Sequence, residues 1–355
     1  MRSAVFPLLL IAMVAGRPTH AQEAPAIGLA APLSGAFAIL GEQWANGART
    51  AAAGQESARL VEADDACTEE GGAAAARRLA EAGVSVVIGF LCTPAIEAAM
   101  PIFKEAGIPV ITPVRTNSLT DQKDRTGWPV FRLGPRADDE RDAVAEILVD
   151  HWRNQLFAIV DDGTIHGREL AENLRAQAEL AGLNPVFVDT FRPELDNQIG
   201  LVGRLRRAGA THVFVGGGRS DIAIMARDAA ALDYDVVLAG GETLRADDDS
   251  GPLPAGILMI GLPKWDELAE PDVLAALSEA RVLPDGYVLP GFAAFGVAAM
   301  AAEEAADAGV PIADALSSLA FDTAIGEVRF DGKGDLDQDL YRLFRYDGER
   351  FIEVQ

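Results

Sequence analysis

The chain has 355 residues, 49% of them hydrophobic, and its 54 acidic and 30 basic residues give a formal net charge of −24. Such an acidic chain repels nucleic acid and anionic lipid, so we expect neither as a partner. The length favours about two domains. With four histidines and two cysteines in the whole chain, a metal centre finds few of its usual ligands, and we expect no metal and no cofactor.

The N-terminus, MRSAVFPLLLIAMVAGRPTHAQ, has the pattern of a secretory signal peptide. A basic residue, Arg2, is followed by an apolar stretch at 4–15 and by small residues three positions and one position before a cleavage point after Ala21. We therefore predict a signal peptide at 1–21 and a mature protein in the periplasm. The best later candidate for a membrane span, 288–302, is rich in Ala and Gly and runs into two glutamates. We predict that it is a buried helix.

The two cysteines, Cys67 and Cys92, are 25 positions apart. In an exported protein a disulfide between them is the default expectation. A metal site needs more Cys or His nearby, and a catalytic thiol needs a local signature that neither cysteine has.

Strand-like and helical segments alternate along most of the chain. Such alternation predicts parallel sheets with crossover helices. The segment VFRLGPR at 130–136 breaks the rhythm, and a second alternating set begins at 138. Late in the chain come two long Ala-rich helices and a final group of strands with Asp-Gly turns at 331–332 and 347–348.

Two doubly wound halves predict a bilobal α/β architecture. In such sheets ligands bind outside the carboxyl ends of the strands. This rule selects loops that are rich in Gly and small polar residues, at 31–37, 91–94, 112–118, 161–166, 216–220 and 240–243.

An ordered set of motifs carries a family resemblance. The motifs are IGLAAPLSGAFAILGEQWANGARTA, EADDAC, VVIGFLC, IPVITPVRTNSLT and GEVRFDGKGDL. Together they resemble the solute-binding proteins of branched-chain amino acid ABC transporters, the leucine/isoleucine/valine-binding type, over residues 27–346. The resemblance implies the type I periplasmic-binding fold, with two α/β lobes joined by three hinge crossovers. It also implies a disulfide that joins Cys67 to Cys92.

On that resemblance we expect lobe 1 to comprise 22–136 and 264–334, and lobe 2 to comprise 137–263 and 335–355. The ligand is expected between the lobes, which close around it.

The resemblance also implies individual ligand-binding residues. The hydroxyl residue after LC, here Thr93, and the one in the PVRTN loop, Thr116, correspond to residues that bind the ligand's α-carboxylate. Glu242 in AGGETL corresponds to the acid that holds its ammonium. Each has a plainer alternative: Thr93 as the N-cap of a helix that starts at Pro94, Thr116 as an ordinary turn residue, and Glu242 as a solvated loop acid.

The departures from the family pattern matter for specificity. Where the family commonly has aromatic residues around the ligand, this chain has Leu40, His166 and Gly218. Arg115 replaces a small residue next to Thr116, and three interpretations remain open for it. It binds a second polar group of the ligand, it pairs with Glu242 across the cleft, or it points to solvent. Branched-chain specificity is therefore not carried over; a polar or acidic amino acid, an amide or urea-like solute, or an aromatic carboxylate stays open.

The function expected from these patterns is the capture of an amino acid or related small carboxylate for delivery to ABC permease membrane subunits, by a monomer. The alternative is a ligand sensor of the same fold that acts with a receptor or regulator. An enzyme is disfavoured, because the chain has no Gly-x-Ser-x-Gly elbow, no His-Glu-x-x-His pair and no phosphate-binding Gly-x-x-x-x-Gly-Lys loop.

Overall fold

The computed structural model describes residues 24–55, 58–246 and 253–354. The predicted signal peptide and its cleavage point after Ala21 lie outside these residues. The strands are β1 (Ala26–Ala31), β2 (Arg59–Asp64), β3 (Val86–Gly89), β4 (Val110–Thr112), β5 (Val130–Arg132), β6 (Phe157–Asp161), β7 (Phe187–Thr190), β8 (His212–Gly216), β9 (Val237–Gly240), β10 (Leu258–Gly261), β11 (Ala320–Thr323), β12 (Gly326–Arg329), β13 (Arg342–Tyr346) and β14 (Phe351–Glu353). The α-helices are α1 (Ala38–Ala53), α2 (Glu69–Glu81), α3 (Thr93–Ala106), α4 (Ser118–Asp121), α5 (Lys123–Thr126), α6 (Asp139–His151), α7 (Ile165–Leu180), α8 (Ile199–Ala208), α9 (Arg219–Ala231), α10 (Trp265–Leu268), α11 (Pro271–Glu279), α12 (Val288–Ala308) and α13 (Ile312–Ser318), and Glu242–Arg245 forms a 3₁₀ turn.

The first lobe is built on a five-stranded parallel sheet with the order β2-β1-β3-β4-β5. Its central strands β1 and β3 are buried along their whole length, which is why they read as continuous apolar runs. Helices α10 to α13 and the β11–β12 pair complete the apolar core of this lobe.

Helix α12 is the apolar segment that the sequence predicts to be a buried helix, and the structure confirms this. Among the described residues it is the one helix long and apolar enough to cross a membrane, but 72% of its most apolar window is buried inside the protein. It packs backbone to backbone against α1. A Cβ on Gly47 would lie 1.8 Å from the carbonyl oxygen of Val288, so glycine is required there for the close approach.

The second lobe is built on a seven-stranded sheet with the order β14-β13-β10-β9-β8-β6-β7. Strands β6 to β10 run parallel, and β13 and β14 add an antiparallel edge. The Asp-Gly turn at 347–348 joins β13 to β14 as predicted. Of the two long Ala-rich helices that the pattern predicts, α12 has 21 residues but α11 has nine. The prediction for α11 was wrong, because Arg281 adopts a left-handed φ of 58° and Pro284 follows.

The chain passes between the two sheets three times, at 133–138, 262–264 and 330–341. These three crossovers and the two doubly wound lobes match the predicted fold class. The predicted loops at the carboxyl ends of the strands follow β1, β3, β4, β6, β8 and β9, so they share one edge of each parallel sheet.

Candidate ligand-binding site

The loop after β3 is fixed by a disulfide and by its own backbone. Cys67 and Cys92 are bonded, with their Cα atoms 5.3 Å apart, which confirms the predicted pair. Phe90 has a left-handed φ of 56°, and its N–H donates to the carbonyl oxygen of Ala30. The turn therefore presents the start of α3 at the edge of the sheet.

Thr93 is the first residue of α3, and Cys92 occupies the N-cap position. The alternative that Thr93 caps a helix beginning at Pro94 is thus wrong, because the helix starts one residue earlier. Pro94 stands at a position where the missing N–H costs nothing. The Thr93 hydroxyl is consequently not used to cap its own helix.

The two predicted threonines meet directly. The Oγ1 atoms of Thr93 and Thr116 are 2.6 Å apart, and either hydroxyl can be the donor. Both residues are half-buried. Residues on two loops 23 positions apart therefore form one hydroxyl pair at the carboxyl ends of β3 and β4.

A buried arginine holds the Thr116 loop in place. Arg132 donates through Nη1 to the carbonyl oxygens of Val114 (2.8 Å) and Thr116 (3.0 Å). Its Nε donates to Asp335 of the third crossover at 2.7 Å, and Arg136 of the first crossover binds the other oxygen of that carboxylate at 2.9 Å. The hydroxyl pair is thereby tied to two of the three crossovers.

Arg115 reaches from the first lobe to the second. Its Nη1 lies 3.6 Å from Oε2 of Glu242. Its Nη2 donates to the hydroxyl of Tyr341 in the third crossover. Of the three interpretations of Arg115, the geometry of this structure corresponds to pairing with Glu242; pointing to solvent does not describe it.

Glu140 is a member of this group that sequence reasoning missed. Its Oε1 accepts the backbone N–H of Glu242 at 2.8 Å, and its Oε2 lies 3.7 Å from Nε2 of His166. Its side chain is 8% exposed. In the sequence Glu140 stands in the acidic run ADDERD at the start of α6, where acids are common for helix-dipole reasons alone, so no local signal separates it from its neighbours.

The pKa of Glu242 is raised, and burial is the largest cause. The neighbouring Glu140 raises it further, whereas the guanidinium of Arg115 lowers it and offsets part of the rise. The ionised carboxylate is therefore costly unless a cation lies close to it.

Two tyrosines near Arg115 and Glu242 were also missed. Burial raises the pKa of Tyr341 and of Tyr287, and both phenols respond to the charges of Arg115 and Glu242. Tyr287 also packs edge-on against Trp44, with ring centroids 6.4 Å apart. These rings come from the segment before α12 and from the third crossover, far in sequence from the predicted loops.

The three remaining predicted residues have different surroundings. His166 is exposed in the first turn of α7 and contacts Glu140. Leu40 is half-buried in the first turn of α1. Gly218 is the N-cap of α9, and a Cβ there would meet the hydroxyl of Ser220 at 3.8 Å, so the position leaves open space. In the part of the chain that the structure describes, no group of three or more His, Cys, Asp or Glu side chains is placed to hold a metal ion.

Comparisons with known proteins agree with this architecture. The family model described as periplasmic binding protein matches residues 25–349. The chain therefore belongs to the periplasmic binding protein family, whose members bind their ligands rather than transform them, and it has the type I fold of that family.

Individual relatives span nearly the whole chain. An amino acid binding protein of Pseudomonas aeruginosa is 30% identical over 359 residues, covering 96% of this chain and 94% of that protein. The Leu/Ile/Val-binding protein homolog 3 of Brucella melitensis is 26% identical and covers 93% of each chain. The crystal structure of an ABC transporter substrate-binding protein from Desulfitobacterium hafniense, in complex with Leu, has a TM-score of 0.66 at 24% identity, covering 93% of this chain and 99% of that one.

Proposed function

We propose that this protein is the exported solute-binding component of an ABC importer. It captures an amino acid or related small carboxylate between its lobes and delivers it to membrane permease subunits. The observation that carries the proposal is the hydroxyl pair of Thr93 and Thr116, 2.6 Å apart at the strand ends of the first lobe, with the Arg115–Glu242 contact between the lobes beside it.

The hydroxyl pair suits a carboxylate. Without ligand one hydroxyl donates to the other, so one proton stays free to donate elsewhere. A carboxylate accepts from both hydroxyls, and hydrogen bonds to an ionised acceptor are about twice as strong as neutral ones. The exchange therefore favours an anionic group at this position.

Both lobes contribute the groups that complete the site. Glu242, His166 and Gly218 come from the second lobe, and Arg115 and Leu40 come from the first. Arg115 and Glu242 supply charges of both signs, and the other three residues supply a titratable ring, an aliphatic side chain and open space. Ligand that contacts both lobes binds the closed state better than the open one and shifts the equilibrium towards closure. We place the lobe boundaries at 22–136 with 264–334 and at 137–263 with 335–355.

An exported binding component of this kind is located in the periplasm. Signal cleavage after Ala21 releases a monomer into the periplasm, where Cys67 and Cys92 oxidise. Mass spectrometry of the secreted protein tests the cleavage point, and a mature N-terminus other than Gln22 would move it.

Thermal unfolding of the mature, ligand-stripped protein tests the function. The panel contains the common amino acids, their des-amino acid analogues, dicarboxylates, amides and aromatic acids. A ligand at about 100 times its Kd adds about 2.7 kcal/mol to the free energy of unfolding, which raises Tm visibly. If no compound in the panel raises Tm, the proposed solute class is wrong.

Substitutions locate the binding. Thr93→Val and Thr116→Val each remove a hydroxyl, and valine cannot donate a hydrogen bond in its place. Hydrogen bonds to charged groups are worth about 1.5–3 kcal/mol. We expect affinity for the stabilising compound to fall roughly tenfold to a hundredfold. Thr211→Val is the matched control, since its hydroxyl donates to Leu156 at the opposite end of the second sheet. Equal affinity in the control and the two site variants would place the ligand elsewhere.

A further inference from the structure

Arg115 is a cation that the crossovers hold in position. Its carbonyl oxygen accepts the N–H of Ala137 at 2.8 Å. Its Nη2 donates to the hydroxyl of Tyr341 and lies 3.5 Å from the carbonyl oxygen of Arg136. The guanidinium is thus anchored to the first and third crossovers, although the residue itself belongs to the loop that carries Thr116.

Glu242 has its charge partner within the protein. Among the described residues, Arg115 is the cation that lies within 4.0 Å of the Glu242 carboxylate. Arg245 also acts on Glu242 through space, but its guanidinium donates to the carbonyl oxygen of Leu262. Behind Glu242, the buried Glu140 carboxylate accepts the Glu242 backbone N–H and adds a second negative charge.

This arrangement changes what a ligand has to supply. An ammonium group brought to Glu242 would compete with a fixed guanidinium for the same carboxylate, and the two cations would repel each other. Arg115 directly precedes Thr116 in the chain. Its guanidinium would therefore attract a ligand carboxylate that is bound at the threonine pair. One donor of Arg115 is also unused, because its buried Nε has no hydrogen-bond partner among the described residues.

Building on the proposed function, we propose that Arg115 is a specificity-determining residue. It replaces the ligand's ammonium as the counter-ion of Glu242, and it thereby shifts the preference of the site from α-amino acids towards carboxylates without an ammonium group. For a zwitterion, the attraction of Arg115 for the carboxylate and its repulsion of the ammonium oppose each other. For a des-amino acid the attraction stands alone.

Calorimetric titration of matched pairs tests this assignment. The pairs are leucine with 4-methylpentanoate, phenylalanine with 3-phenylpropanoate, and glutamate with glutarate. The wild type is expected to bind the des-amino member of at least one pair as tightly as the amino acid or more tightly. In Arg115→Met the ratio of the two affinities should move towards the amino acid by about tenfold or more, which equals about 1.4 kcal/mol.

Two further variants make the result specific. Arg175→Met removes one positive charge from an exposed position on α7 and should leave the ratio unchanged. Arg115→Gln also removes the positive charge but keeps a side-chain amide that can donate to the hydroxyl of Tyr341, the partner of the wild-type guanidinium. It should move the ratio in the same direction as Arg115→Met, and it tests the assignment if Arg115→Met does not fold.

The outcomes separate the two proposals. Wild-type binding that prefers the amino acid in every pair, or an unchanged ratio in a folded Arg115 variant, overturns the role of Arg115 while the solute-binding function stands. Failure of the wild type to bind any compound of the thermal panel overturns the proposed solute class itself, and the role of Arg115 with it.

Discussion

Asp65 is fully buried next to the disulfide, with one carboxylate oxygen used and one unused. Its Oδ1 accepts the N–H of Cys67 at 2.8 Å, whereas Oδ2 has no hydrogen-bond partner among the described residues. Burial raises the pKa of Asp65 from 3.8 to about 6, and the nearby Asp64 adds to the rise. At neutral pH the folded state therefore carries a buried carboxylate that water would solvate better.

The raised pKa of Asp65 makes the folded state less stable as pH rises. Because the folded state holds the proton more tightly than the unfolded state, Asp65 lowers the free energy of unfolding as pH rises from about 4 to about 6, and its effect is constant above that range. We compare the free energy of unfolding of Asp65→Asn with that of the wild type. The value for the variant minus the value for the wild type should rise by up to about 3 kcal/mol between about pH 4 and pH 7.5.

Urea unfolding of both proteins across this range checks the prediction. Other carboxylates with raised pKa values, such as Asp139 and Asp221, are present in both proteins and cancel in the difference. A difference that does not change with pH would mean that Asp65 titrates normally.

At the scale of elements, the buried pair of Arg132 and Asp335 connects β5 and the Thr116 loop to the third crossover. Both side chains are at most 7% exposed. Removing one partner leaves an uncompensated buried charge, which typically costs about 3–5 kcal/mol. Asp335→Asn leaves the buried Arg132 without its carboxylate and should approach that range. Arg132→Met leaves Asp335 paired with Arg136 at 2.9 Å and should fall below it, and the double variant should cost less than the sum of the two.

A second ion pair provides the control for this cycle. Arg49 and Glu62 are 2.6 Å apart, but their side chains are 38% and 31% exposed. Pairs in water are worth about 0–1 kcal/mol, so the Arg49→Met and Glu62→Gln cycle should show a small coupling energy. Equal coupling energies in the two cycles would show that burial does not set the strength of the Arg132 pair.

The disulfide staples the starts of two helices, since Cys67 immediately precedes the Thr68 cap of α2 and Cys92 caps α3. Closing a loop of 25 residues stabilises the folded state by about 3.5 kcal/mol in the chain-entropy model. The Cys67→Ala/Cys92→Ala double variant should lose about that much in denaturant unfolding. A loss in stability with unchanged ligand affinity would show that the staple supports the fold but is not needed to position Thr93.

At the scale of the whole molecule, much of the fold follows from local sequence patterns. Buried parallel strands such as β1 and β3 are continuous apolar runs, and loops at their carboxyl ends are known once the sheets are predicted to be parallel. The long-range contacts of the site do not follow in this way. Arg115 and Tyr341 are 226 positions apart, and Glu140 and Glu242 are 102 apart. The first pair meets because of how the crossovers fold and the second because of how the second lobe folds, and periodicity encodes neither.

The same long-range contacts bear on how the lobes move. Arg115 and Glu242 lie on different lobes, and their side chains are 38% and 28% exposed. A pair this accessible to water is worth at most about 1 kcal/mol, which changes the ratio of closed to open molecules about fivefold. Ligand at about 100 times its Kd contributes about 2.7 kcal/mol, or about a hundredfold. The ligand and not the ion pair should therefore decide whether the lobes are closed.

Small-angle X-ray scattering of the mature protein measures this directly. With the stabilising solute from the thermal panel at saturation, we expect the radius of gyration of the wild type to fall, because closure brings the two sheets together. Without ligand, wild type and Arg115→Met should scatter alike, since the ion pair alone is too weak to hold the lobes. If ligand-free wild type is instead as compact as the liganded protein, and Arg115→Met is more extended, the Arg115–Glu242 pair is worth several times more than its exposure indicates. Closure would then precede binding, and the solute would have to enter through a transient opening of the cleft.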